Sequence, residues 1–239
     1  MFKNKTISDQ DALKIVKTVF ELIGKSKSVD DIIKIPQDII EYGSEIEKNK
    51  PNIRRYPRLR LRLSLDDIRA LESQKVIDGN YCLKSELATG YLGNKQSMSP
   101  LEKLLYSILW KNSDLGKESH ILNGIKELKQ FDEAKTGKVF YNFGKYISGQ
   151  LNCIIDQHTI RAYSVFLSDV QNDSKNNNID ISSARKVENL NNKKKLIESY
   201  KIQFEEWLSK NNINDDNKSE FCYEIDRLIF SIGKIIKIR

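Results

Sequence analysis

Asn152-Cys153-Ile154-Ile155-Asp156-Gln157-His158-Thr159-Ile160-Arg161-Ala162-Tyr163 is the stretch from which the architecture reads most directly. An apolar run stops at an acid, Thr159 follows three positions later, and Ile160, Tyr163, Phe166 and Leu167 recur at helical spacing. An aspartate so placed accepts hydrogen bonds from the unpaired N–H groups of a first helical turn, and the helix dipole favours its charge. The pattern predicts a helix over 157–167 with Asp156 at its N-terminus.

Helical signals continue on both sides of that stretch. Upstream, apolar residues at helical spacing predict helices over 139–147 and 117–130, the latter carrying Ile121, Leu122, Ile125 and Leu128. Ser99-Pro100-Leu101-Glu102 combines a Ser cap, a Pro at the first helical position and a Glu that completes a capping box, ahead of Leu104, Leu105, Ile108 and Leu109. Near the N-terminus, Ser8-Asp9-Gln10-Asp11 opens a helix stopped by Gly24, and a second helical segment around Pro36 ends at Gly43. Ser64-Leu65-Asp66-Asp67 caps another helix, and 79–94 reads as loop with a short helix. Only Tyr56-Pro57-Arg58-Leu59-Arg60-Leu61-Arg62-Leu63 alternates with period two, which predicts one short strand or an extended basic arm.

Downstream, 171–178 reads QNDSKNNN and predicts an exposed loop. Helices over 193–208 and 220–236 follow, joined by a polar turn at 211–218, with Phe221, Ile225, Leu228, Ile229 and Ile232 on one face of the last. The fold expected is mainly α, a helical bundle in which 101–111, 139–147 and 157–167 pack together. Its expected parts are an N-terminal helical region (1–95), a core region (96–170) and C-terminal helices packing on that core (171–239).

At 239 residues the chain has the length of one large or two small domains, which usually run to ~100–200 residues each. Its apolar runs fall short of the ~20 residues of a bilayer span, which predicts no membrane partner. The N-terminus lacks the apolar stretch and cleavage site of a secretory signal, so the expected location is cytoplasmic. Cys82, Cys153 and Cys222 are odd in number and widely spaced, and with only His120 and His158 beside them they suggest no disulfide framework, metal or cofactor site. The net charge of +7 is unevenly spread: Lys48, Lys50, Arg54, Arg55, Arg58, Arg60 and Arg62 stand together with no acid among them. A field of that sign attracts polyanions, DNA or RNA first among them, although a basic face can also serve solubility alone.

No P-loop, G-x-S-x-G or H-E-x-x-H pattern occurs in the chain. The string IIDQHTIRAY instead resembles the helix-hairpin-helix DNA glycosylase superfamily, the group of endonuclease III and 8-oxoguanine glycosylase. The resemblance covers roughly 101–166. It implies that Asp156 opens a helix and faces the target nucleotide, and that Lys138, 18 positions earlier (156 − 138), stands at the start of the helix behind the hairpin. Two departures are plain. Residues 131–137 supply one glycine where the family's hairpin is glycine-rich, and no cysteine cluster is present, so no iron–sulfur centre is implied.

The chemistry implied by the resemblance suits these residue types. Cleaving an N-glycosidic bond builds positive charge on the sugar, which a fixed carboxylate at Asp156 stabilises or exploits by orienting water. An amine at Lys138, if neutral in a dry pocket, would attack C1′ as the N-glycosidic bond breaks and the base departs, and form a Schiff base after base release. A base inside a duplex must be extruded and held against aromatic surface, for which Trp110, Tyr141 and Phe143 are the candidates. His158 and Arg161, with Arg54, Arg55, Arg58, Arg60 and Arg62, are the candidate nucleic-acid contacts. The competing expectation is a basic, non-enzymatic nucleic-acid-binding or regulatory protein, in which Asp156 is only a helix cap.

Overall fold

A computed structural model describes residues 7–39, 41–51, 62–74, 77, 79–81, 107, 116–126, 137–175, 180–187, 190, 193–213 and 215–238. Among these residues the chain is mainly α-helical and has no strand. The helices are α1 (Asp9–Lys25), α2 (Val29–Asp38), α3 (Gly43–Asn49), α4 (Leu65–Ser73), α5 (Lys117–Ile125), α6 (Lys138–Ile147), α7 (Gln157–Lys175), α8 (Ile181–Arg185), α9 (Lys194–Asn211) and α10 (Asp215–Ile235). No helix among the described residues is long and apolar enough to cross a membrane.

The chain forms two compact units, one from Met1–Leu59 with Asn152–Arg239 and the other from Arg60–Leu151. In the first unit α7 packs along α10; α1, α8 and α9 also pack on α7, and α2 and α3 on α10. The sequence cause is visible in α1, where Ala12, Ile15, Val16, Val19, Phe20 and Ile23 recur every three or four positions and all are buried. Phe20 stacks on Phe166 at 4.8 Å and meets Trp207 edge-on at 5.1 Å, joining α1, α7 and α9 in one aromatic core. Arg185, itself buried, fastens the two ends of the chain: its Nε donates to the Ile236 carbonyl (2.7 Å), its Nη2 to the Ile7 carbonyl (2.8 Å), and its Nη1 pairs with Asp9.

In the second unit α5 and α6 cross with their backbones in contact. A Cβ on Gly124 would lie 2.0 Å from the Tyr141 carbonyl oxygen, and one on Gly144 would lie 2.1 Å from that of Ile121. Two facing glycines therefore set the separation of this pair, since any side chain at either position must push the helices apart. Gln150 closes the far side by donating to the Ile125 carbonyl at 2.8 Å.

Several expectations change. α7 continues to Lys175, through the first half of the polar stretch expected to be loop, because a helix already nucleated by its packed first turns extends at little cost through residues of ordinary helix propensity. Pro36 lies inside the last turn of α2, and Gly43 begins α3 rather than ending its predecessor, with its Cα held close to the Pro36 carbonyl. The turn expected over 211–218 is shorter: α9 reaches Asn211, Asn212 takes a left-handed conformation, and α10 begins at Asp215. The compact units change at 59–60 and 151–152, which places 139–147 and 157–167 in different units. α6 packs with α5 and α7 with the terminal segments, because the chain passes from one unit to the other at 151–152. Apart from Ser107, which is helical, the helix expected from Ser99 lies outside the described residues, as does all but the end of the 56–63 strand or arm. That end is held by the Leu63 amide, which donates to the Ile147 carbonyl at 3.2 Å.

Candidate active site

Asp156 opens α7 as its sequence predicts. Its Oδ1 accepts from the amides of His158 (2.6 Å) and Thr159 (2.8 Å), and its own amide donates back to the Thr159 hydroxyl at 3.0 Å. This is a reciprocal cap, with Thr in place of the usual Glu or Gln. Oδ2 has no hydrogen bond among the described residues, and the side chain is half-buried. Burial pushes the Asp156 carboxyl above the usual aspartate range, against the pull of the Thr159 amide and of His158.

His158 is the second residue of α7 and Arg161 the fifth, one turn after Gln157. Arg161 is fully buried, its Nη1 donating to the Gly233 carbonyl (2.9 Å) and its Nη2 to that of Val187 (2.8 Å). It is therefore not a surface phosphate ligand, as expected from sequence, but a clamp between α7, α10 and the segment that follows α8. Its Nη1 also lies 2.9 Å from His158 Nδ1. A guanidinium only donates, so Nδ1 accepts and the imidazole proton sits on Nε2. Burial holds His158 below the usual imidazole range, with Arg161 beside it acting in the same sense and Asp156 opposing. The ring meets Phe230 edge-on at 4.6 Å. The close approach depends on Gly233, where a Cβ would lie 1.9 Å from the His158 carbonyl oxygen.

Behind Asp156 lies an acid that the sequence did not mark. Asp226 on α10 is 1% exposed, and both of its oxygens lie 3.2 Å from the Ile154 amide. Burial drives its carboxyl well above the ordinary range; the Ile154 amide opposes this and the nearby Asp156 charge adds to it. Cys222, one turn earlier on α10, and Cys153 are buried beside it, with Lys201 and Glu205 of α9 also acting on Cys153. The only hint in the sequence is an acid on the same helix face as Cys222, Ile229 and Phe230.

A folded state that keeps the Asp226 proton above the unfolded pKa loses stability as pH rises from about 4 towards the raised value, by up to about 1.4 kcal/mol per pH unit for one proton. Urea unfolding of wild type and Asp226→Asn at a series of pH values should therefore show the wild type falling behind the variant as pH rises. A constant difference would mean that Asp226 ionises normally.

In the second unit, Lys138 is the first residue of α6 and is buried behind Gly137, which takes a left-handed conformation. Lys138 and Asp156 thus open successive described helices but belong to different units. Tyr141 is buried with the Lys145 ammonium 5.6 Å from its ring, whereas Phe143 is half-buried and stacks on Tyr146 at 6.4 Å. Two positions apart on a helix, the two rings face different ways. Arg62 is exposed, 6.0 Å from the Tyr146 ring centre. Trp110, Arg54, Arg55, Arg58 and Arg60 lie outside the described residues. Among the described residues no group of three or more His, Cys, Asp or Glu side chains could hold a metal. The chain matches no protein-family model, no curated protein and no solved structure.

Proposed function

We infer that this protein acts on DNA as a glycosylase, cleaving the N-glycosidic bond of a damaged or modified base, with Asp156 as the carboxylate and Lys138 as the amine of an accompanying lyase step. The observation that carries the reading is the division of labour within one carboxylate. Oδ1 of Asp156 is held by two amides while Oδ2 remains unengaged among the described residues, on a side chain that solvent reaches. A charge so fixed needs no reorganisation to stabilise an oxocarbenium ion or to orient water. The position of Lys138, opening α6 as Asp156 opens α7, is the second support, because it is the arrangement the glycosylase resemblance implies. The protein's expected place of work is the cytoplasm. A nucleic-acid-binding protein without chemistry is the alternative, favoured by the basic run over 48–62 and sharing the same partner.

Two experiments test this reading. Affinity for duplex DNA should fall as salt rises, with a log–log slope of about −4.5 if Arg54, Arg55, Arg58, Arg60 and Arg62 each neutralise one phosphate. Charge reversal at Arg58, Arg60 and Arg62 should weaken binding to all sequences alike, and a flat salt dependence would make the run a solubility feature. Borohydride should trap the wild type on DNA at the site of base loss and fail to trap Lys138→Gln. Base excision that persists in Lys138→Gln without trapping assigns the nucleophile to a water directed by Asp156, and trapping that persists in it rules Lys138 out.

A further inference from the structure

The loop that delivers Asp156 is built on a relay of hydrogen bonds that begins on α10. Asp226 accepts from the Ile154 amide, at 3.2 Å to each oxygen. The carbonyl of the same residue accepts from the Thr159 hydroxyl at 3.3 Å, in a bond that hydroxyl shares with the Asp156 carbonyl at 3.1 Å. The Thr159 hydroxyl in turn accepts from the Asp156 amide at 3.0 Å, and the Thr159 amide donates to Asp156 Oδ1 at 2.8 Å. The Asp156 amide and the Thr159 amide, two of the main-chain groups that set the direction of the Asp156 side chain, are thus tied through Thr159 and Ile154 to one buried carboxyl 70 positions away (226 − 156).

Capping a single amide does not require an acid. An Asn or Ser side chain, or a carbonyl, would accept from Ile154 without the cost of burying a carboxyl next to another carboxyl. The Asp226 group sits square on this amide, its two oxygens equidistant from the nitrogen, which fixes the peptide plane and not merely one distance. We propose that Asp226 is a positioning residue for Asp156, holding the Ile154 peptide so that the cap at α7 presents Asp156 Oδ2 to the substrate. The proposal rests on the glycosylase reading for its consequence in catalysis, but not for the positioning itself.

The test therefore has two readouts. Amide hydrogen exchange at His158 and Thr159 reports whether Asp156 still caps α7, with no need of activity. The single-turnover rate of base excision, measured beside DNA affinity, reports whether the presentation matters. Asp226→Leu removes the acceptor, and should speed exchange at both amides and slow excision on the order of 10- to 100-fold with DNA affinity unchanged. Asp226→Asn keeps one acceptor oxygen and should restore most of both. If Asp226→Leu does not fold, Asp226→Ala removes the same acceptor without adding bulk. Unchanged exchange at His158 and Thr159 in the folded acceptor-less variant overturns the proposal. Faster exchange in a protein whose wild type excises no base would uphold the positioning and overturn the glycosylase reading alone.

Discussion

Arg161→Leu should destabilise the protein by roughly 3 kcal/mol, seen as a large drop in the urea midpoint. The change leaves the buried carbonyls of Gly233 and Val187 without their donor, at ~1–3 kcal/mol each, and the relief of no longer burying a guanidinium offsets only part of that. Against a total stability of ~5–15 kcal/mol such a loss is conspicuous. Arg161→Lys should recover little, because a single Nζ cannot stand at the places of both Nη1, which serves Gly233 and His158, and Nη2, which serves Val187. An unchanged midpoint in Arg161→Leu would mean that the clamp between α7 and α10 is not held by these bonds.

Asp156→Asn should cut base excision by at least about 10²–10³-fold. The cap explains why this variant is a clean one. An Asn oxygen accepts from the His158 and Thr159 amides as well as an Asp oxygen does, so α7 keeps its N-terminus and the protein its stability. Only the charge on the unengaged side is lost. DNA affinity should stay the same or improve, since one negative charge near the phosphates disappears. The wild-type rate should rise with pH through an acid limb above the ordinary aspartate range, because burial raises the Asp156 carboxyl and only its charged form stabilises the sugar cation. Loss of excision with loss of folding would instead make Asp156 indispensable as a cap.

Asp156 was legible in the sequence because its cap is a local device: an acid, a threonine three positions on and an apolar rhythm beyond. The same holds for α1 and α4, where Ser8 and Ser64 each accept from the amide three residues later; Ser28 caps α2 in the same way, although its cap was not read from the sequence. What was not legible is charge turned inward. Arg161 and Asp226 sit on helices where a charged residue ordinarily marks the solvent face, and their partners lie 72 positions away. No local rhythm carries such a pairing. Nor does periodicity tell which helices share a core: α6 and α7 are neighbours in sequence, yet each finds its partners in a different unit. The left-handed Gly137 before Lys138, by contrast, is where a glycine eases the backbone into a helix, so the start of α6 was readable even though its burial was not.

The central claim is that Asp156 works on a nucleotide rather than merely capping a helix. The most direct measurement is mass-spectrometric detection of free base after wild type and Asp156→Asn are incubated, in parallel, with duplexes each carrying one damaged or modified base. The account predicts release of at least one such base by the wild type and none above background by a folded, DNA-binding Asp156→Asn. Equal release by the two proteins, or none by the wild type across the panel, would contradict it.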